Sequence, residues 1–383
     1  MKITAETILA GAAAVDVSPD TLTGVRIWLG GYKPDRYATR QAGPIEVRAL
    51  ALGGPGDGLL IVTVDTCLIS PLTARRWAEI ISEAVPLPPL RIFIATTHTH
   101  SGPDLSFLFR GVPLKYFHKV RAGVLDAALR AWHYRRPATM FVGSARHTMG
   151  LPRRIKKGQK DWDDEAVVIQ WRSEGETVAT LINLACHGVA FPRESTLLTP
   201  DIPGALCSGS DAAFGGISLF LPRDQGDVNP DMPGKNTYEQ YGGPDELERL
   251  SAMGIESIRK AVASSSQLET SPLTVSRKNI DVRTDGPVNF LFKSPLWYGG
   301  LSLRQDSIAI PLRKFRMGGI RGTAVPGEVL NCLGKEFLKK TGEPSLLFTY
   351  TGGYLGYLMT PKTYQQGGYE PQVSPGPVDP SLI

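Results

Sequence analysis

Cysteine is scarce: Cys67, Cys186, Cys207 and Cys332 are the only four in 383 residues, and no pair has Cys-x-x-Cys spacing. All four fall within or beside apolar runs, so they read as buried free thiols, which suits a reducing compartment. No run of about 18 uncharged apolar residues occurs, so no segment is expected to span a membrane. A short apolar piece at residues 8–15 is preceded by Glu6 and followed by no clear cleavage pattern, so the chain reads as cytoplasmic, made without a secretory signal. An excess of charge of one sign is also missing, with 42 basic against 37 acidic residues. A net +5 spread along the chain is too mild and dispersed to argue for nucleic acid. The one dense cluster, Arg153-Arg154-Ile155-Lys156-Lys157, is either a solvated basic loop or a clamp for an oxyanion or carbonyl. Internal repeats and low-complexity linkers are missing. What is abundant is glycine and proline, 41 and 30 residues, which implies many turns and long loops around a core drawn from a 42% hydrophobic composition.

The stretch from Ile94 to Asp104, Ile-Ala-Thr-Thr-His-Thr-His-Ser-Gly-Pro-Asp, organises the rest of the chain. Residues 91–95 read as a buried strand, so His98 and His100 fall at or just past its C-terminal end, the edge of an α/β sheet where sites are usually built. Residues i and i+2 on an extended backbone project to one side. Both imidazoles can then meet one metal ion, or one can bind while the other assists. The plainer alternative is two strand-end histidines satisfied by backbone groups.

Around this stretch the pattern predicts an α/β fold, with a mixed β-sheet core flanked by helices and joined by long loops. An entry strand at 12–17 is followed by a loop at 30–43, carrying Arg36, Arg40 and Gln41, that is placed to cover a site. Strands at 45–52 and 59–64 form a hairpin, and the second ends in Asp65, a strand-end carboxylate or a helix cap. Helical periodicity marks 72–84 and 113–134; His118 and His133 on the latter read as surface or packing residues. Strands at 139–143, 166–171 and 178–185 follow, the last delivering Cys186-His187-Gly188. A helix at 201–214 has Asp201 near its start, and a strand at 217–221 runs into the acid- and amide-rich turn at 224–230. Beyond a helix at 243–264 the patterning weakens over 265–311, with strand-like pieces and an aromatic stretch at 290–298. It recovers in a strand at 320–325, a helix at 329–340 that Glu328 starts, and a tail rich in glycine and tyrosine. Three strand ends thus carry His98, His187 and Glu328, and two neutral imidazoles plus a carboxylate make a common catalytic zinc set with a place left for water.

Five motifs occur in order: Thr97-His98-Thr99-His100-Ser101-Gly102-Pro103, Ala185-Cys186-His187, Gly226-Asp227-Val228-Asn229-Pro230, Val325-Pro326-Gly327-Glu328 and Gly353-Tyr354-Leu355-Gly356-Tyr357. Their order and wording resemble the catalytic domain of the neutral, non-lysosomal ceramidases, zinc-dependent amide hydrolases, from about residue 12 to Tyr369. The resemblance implies that family's catalytic-domain fold as a single domain over 1–383, without its C-terminal β-sandwich-like domain. It implies one Zn²⁺ on His98, His187, Glu328 and Tyr357, with the phenol deprotonated by the ion. His100 would sit beside the metal as hydrogen-bonding partner or proton shuttle. Tyr369 would donate to the oxyanion, and Arg153, one register step from Arg154, would clamp the substrate. Asn229 stands where the family has a serine with a catalytic or substrate-contacting role. Asparagine cannot act as a nucleophile in serine's way, which favours attack by metal-activated water. Together with the missing secretion signal, it points to a small soluble amide rather than membrane ceramide, with no stable membrane association. An ester, lactone or glycosidic bond, or binding without turnover, are the alternatives. A second cation near Asp65 or Asp201 is also left open.

Overall fold

A strand buried on both faces has no reason to alternate apolar with polar residues, and Leu59–Val64 (Leu-Leu-Ile-Val-Thr-Val) does not. Leu60 and Val62 enter one core cluster and Ile61 another. In the neighbouring strand Ile92–Thr96, Ile92 and Ile94 join the first cluster while Phe93 and Ala95 join the second. The computed structural model describes residues 7–154, 162–232, 242–284, 294–298, 303–304, 306–342 and 344–383. Ile155, Lys156 and Lys157 of the basic run, and residues 290–293 of the aromatic stretch, lie outside the described residues.

These strands belong to a nine-stranded mixed sheet in the order Ile217–Pro222, Glu176–Leu184, Glu165–Ser173, Arg136–Arg146, Thr7–Asp16, Glu46–Leu52, Leu59–Val64, Ile92–Thr96, with Ser266–Leu268 added on Arg136–Arg146. Ile217–Pro222 and Ile92–Thr96 each pair in parallel with their neighbour. The remaining pairings are antiparallel. The sheet curls until its ends meet, as large twisted sheets do. Arg48 Nη1 reaches across from Glu46–Leu52 to the Ser218 carbonyl at 2.9 Å, and Thr99 forms a parallel bridge with Gly188. Strands six places apart in the order therefore deliver His98 and His187 to one spot.

Helices Pro71–Ala84 and Leu114–His133 cover one stretch of the outer face, and Asp201–Phe214 with Pro244–Ala263 cover another. Ser70 caps the first helix by accepting from Thr73 N, with Pro71 in the first turn. Asp65 is therefore a strand-end carboxylate and not that cap. The inner face packs on a five-stranded sheet, Leu273–Arg283, Ser307–Met317, Ile320–Ala324 and Ser345–Phe348, with Leu303–Arg304 beside Ser307–Met317. Phe315, Met317, Leu346 and Phe348 from that sheet share a core with Trp171, Leu181 and Phe93. The amide of Gly352 donates to Ile94 O and that of Thr349 to Pro222 O, which stitches the two sheets together at one end.

One expectation sharpens and another changes. The strand-like pieces over 265–311 belong to two eleven-residue strands, Leu273–Arg283 and Ser307–Met317, and the patterning is weak because Leu273–Arg283 is an edge strand with exposed residues on both faces, Arg277 and Lys278 among them. Glu328 does not start a helix: Glu328–Val329 pairs in parallel with Tyr357–Leu358, and the helix runs Asn331–Thr341. The amides of Glu328 and Leu330 are committed to Gly356 O and Leu358 O, both at 2.9 Å, which holds this segment extended. Among the described residues no helix is long and apolar enough to cross a membrane.

Candidate metal centre

His98 lies two residues beyond Ile92–Thr96 with φ at 61°, a left-handed conformation rare for a side-chain-bearing residue and common where sites are held. The turn places its ring so that Nδ1 donates to the Cys67 carbonyl at 3.0 Å. His187, just past Glu176–Leu184, likewise donates from Nδ1 to the Gln225 carbonyl at 2.7 Å. With both Nδ1 hydrogens given away, both neutral rings present a bare Nε2. These face Glu328 Oε1 at 3.5 Å from His98 and 2.9 Å from His187. That oxygen is buried and receives no hydrogen bond, whereas Oε2 accepts from Tyr354 Oη at 3.1 Å.

With both rings neutral, three lone pairs converge on one point. Ligands bound to zinc at ~2.0–2.1 Å in tetrahedral geometry lie about 3.3 Å apart, so the spacing suits one divalent ion, and His98, His187 and Glu328 form a group able to hold it. The electrostatics agree. Burial opposes a charge on His98, yet Cys67 and Glu328 outweigh it and push the imidazole up to about 10. Burial would raise Glu328, but the two histidines hold it well below the usual carboxylate range. Without a cation, the cluster holds a proton in the cation's place.

Tyr357 stands directly opposite Glu328 in the parallel pairing and is 7% exposed. Burial and the Glu328 charge keep its phenol far above the ordinary value, a balance that a cation beside it would reverse. His100 Nε2 is 3.2 Å from His98 Nε2, but His100 is outside the His98, His187, Glu328 group. Its ring rests on Gly31, where a Cβ would come within 2.5 Å of Nδ1 and the backbone has φ of 86°, and Tyr32 meets it edge-on at 4.9 Å. Burial, reinforced by the other two histidines, holds His100 well below the normal imidazole value, so it is neutral.

Arg153 donates through Nη1 to Asn229 Oδ1 at 2.9 Å, and through Nη2 to Gly226 O at 2.8 Å and Glu370 Oε1 at 2.9 Å. Arg154 takes the other oxygen of Glu370 at 2.6 Å. Tyr369 is 62% exposed and sets its ring edge-on to Tyr357 at 5.9 Å. His98, His100, Arg153, His187, Asn229, Glu328, Tyr357 and Tyr369 all line one cavity of about 460 Å³. Leu68, Leu108, Phe109, Val189 and Val373 give it an apolar wall.

Asp65 and Asp201 do not join it. Asp65 accepts from Glu46 N and Thr97 Oγ1, and Asp201 accepts the amides of Ala190 and Ile202 through Oδ1 while its buried Oδ2 has no hydrogen-bond partner. Neither belongs to a metal-capable group among the described residues. His118 and His133 are exposed on their helix. Sequence reasoning missed Cys67, Tyr354 and Glu370 as site residues. Glu370 adjoins Tyr369, and Tyr354 sits inside a quoted motif, but nothing local marks either as a partner of Arg153 or Glu328. Arg36, 2% exposed, donates to the carbonyls of Gly30, His100 and Ser195 and so straps the loop at 30–38 over the site.

Curled sheet, packed second sheet and a two-histidine, one-carboxylate group at their shared end together define a mixed α/β fold with a metal-capable cluster where the two sheets meet. Among solved structures, neutral ceramidase from Pseudomonas aeruginosa superimposes with a TM-score of 0.78 at 16% identity, covering 96% of this chain and 71% of that one. A ceramidase complexed with C2 matches with a TM-score of 0.78 at 15% identity, covering 96% and 72%. The fold is that of neutral ceramidase. No protein-family model and no curated protein matches the sequence.

Proposed function

We propose that this chain is a zinc-dependent hydrolase that cleaves an amide bond in a small soluble substrate. The supporting observation is the donor-less Glu328 Oε1 facing two bare imidazole nitrogens, an arrangement that only a cation or a captured proton satisfies. His98, His187 and Glu328 would hold the zinc, with Tyr357 as fourth ligand. Bound there, it would lower the pKa of a water and polarise the scissile carbonyl.

The chain's own groups account for the rest. His100, neutral and next to the centre, accepts a proton at a ring nitrogen and returns it to the leaving amine. Arg153, fixed by Asn229, Gly226 and Glu370, and the Tyr369 hydroxyl supply donors for the developing oxyanion. Asn229 spends its carbonyl oxygen on Arg153 and keeps its amide hydrogens for the substrate, a positioning role and not a nucleophilic one. The cavity volume lies in the range of small-molecule sites, and its apolar wall suits a short acyl group. The four cysteines are free, in keeping with work in the cytoplasm.

Purified protein should carry about one zinc per chain, as a mononuclear site requires, and should hydrolyse members of a panel of short N-acyl amides. His98→Ala should lose both zinc and hydrolysis. A variant that keeps zinc and turns over normally overturns the assignment.

A further inference from the structure

Cys67 plays no part in the chemistry above, yet its side chain lies on the cavity wall and is 2% exposed. Its Sγ is 3.7 Å from His98 Nδ1, and Sγ, a ring nitrogen of His98 and a ring nitrogen of His100 all lie within 4.8 Å of one another. His100 Nδ1 is buried with no hydrogen-bond partner, while its Nε2 lies 3.2 Å from His98 Nε2. We propose that Cys67, His98 and His100 form a second cation position, overlapping the first at His98, that captures a soft divalent ion such as cadmium or excess zinc.

The two donor sets differ in kind. His98, His187 and Glu328 offer two nitrogens and a hard carboxylate oxygen, while Cys67, His98 and His100 offer two nitrogens and a thiolate, which selects for softer ions. His98 can serve only one of them at a time, because its Nδ1 hydrogen is committed to the Cys67 carbonyl and Nε2 is the only nitrogen left. The two positions are therefore alternatives. Binding exchanges the S–H bond for an S–metal bond and releases the proton to solvent, with no change of oxidation state. An ion held there withdraws both His98 and His100 from the cavity's other work, so a thiophilic cation inhibits from inside the site. The inference does not need the zinc reading to hold, because the first set can be removed separately at His187.

The test is a cadmium chloride titration of the full chain as purified, followed by the ultraviolet charge-transfer absorption of cadmium bound to thiolate, with zinc content measured on the same samples. The absorption should saturate at about one equivalent, as a single-thiolate position implies. It should vanish in Cys67→Ser, and in Cys67→Ala should the serine variant not fold, and it should survive in His187→Ala. Any zinc present should leave in step with its growth. No absorption in the wild-type chain, or absorption undiminished without Cys67, overturns the site. Absorption with all zinc retained overturns the alternation. Failure of the zinc-hydrolase reading would show instead as zinc and turnover surviving His98→Ala, a result this titration does not touch.

Discussion

Glu328 shows how one side chain is divided between two tasks: Oε2 takes a phenol hydrogen from Tyr354 while Oε1 is left without any donor. Tyr354 thereby sets which oxygen faces the imidazoles. Its own backbone is held in turn by Trp297 Nε1, which donates to its carbonyl at 2.9 Å. Tyr354→Phe keeps the ring and loses that hydrogen bond, so zinc affinity measured against a competing chelator should fall about 10–100-fold. Unchanged affinity would contradict the role. Another residue-scale prediction concerns His147, 1% exposed, with neither ring nitrogen bonded and Trp162 edge-on at 5.5 Å. Burial pulls its pKa down to about 4, against only partial opposition from Asp163 and Asp164. Between that value and the unfolded value of about 6.5 the unfolded chain binds a proton that the folded chain refuses. Stability is therefore full above the upper limit and declines as pH falls toward the lower one, by about 3 kcal/mol in all. His147→Phe should flatten the dependence of the urea midpoint on pH across that window, and an unaltered slope would contradict this. His98 and His187 were legible in the sequence because a strand end announces each of them. Cys67 and Tyr354 were not, because their significance lies in partners about 30 positions away, His98 and Glu328.

Among the elements, the loop over the site and the two-residue bridge do the aligning. At Gly31 the left-handed backbone and the contact with His100 coincide, so a methyl group meets both a steric and a conformational penalty. Gly31→Ala should displace the His100 ring and cut turnover by at least about tenfold, a loss of about 1.4 kcal/mol in the barrier, while zinc content stays at the wild-type level. Loss of zinc together with turnover would mean that the loop supports the metal centre and not only His100. The hairpin at 45–64 and the strand before His98 were readable because continuous apolar runs bounded by turn residues have one good structural solution. The helix expected to begin at Glu328 was not, since an acid ahead of an apolar periodic run is also a helix start, and the competing pairing with Tyr357 spans 29 positions. The strand-like pieces over 265–311 were only faintly legible for a different reason: an exposed edge strand is not required to be apolar.

At the scale of the whole molecule, the metal-capable group draws His98 and His187 from the ends of the large sheet and Glu328 from the segment after Ile320–Ala324 of the small one. An ion there ties both sheets together and stabilises the folded chain by mass action, about 4 kcal/mol at a thousandfold excess over its dissociation constant. Chelation should accordingly lower the melting temperature of the wild-type chain by several degrees and leave that of His98→Ala unmoved. A wild-type midpoint indifferent to chelator would mean that no ion bridges the sheets. The mixed α/β class was visible in the order of elements, but the curl that brings Thr99 against Gly188 was not, because curvature arises from packing between strands that are distant in sequence. The most direct measurement is anomalous diffraction at the zinc edge from crystals of the protein as purified. One peak should appear within bonding distance, about 2 Å, of His98 Nε2, His187 Nε2 and Glu328 Oε1. A clean map at that point, or a peak that shuns all three atoms, would contradict it.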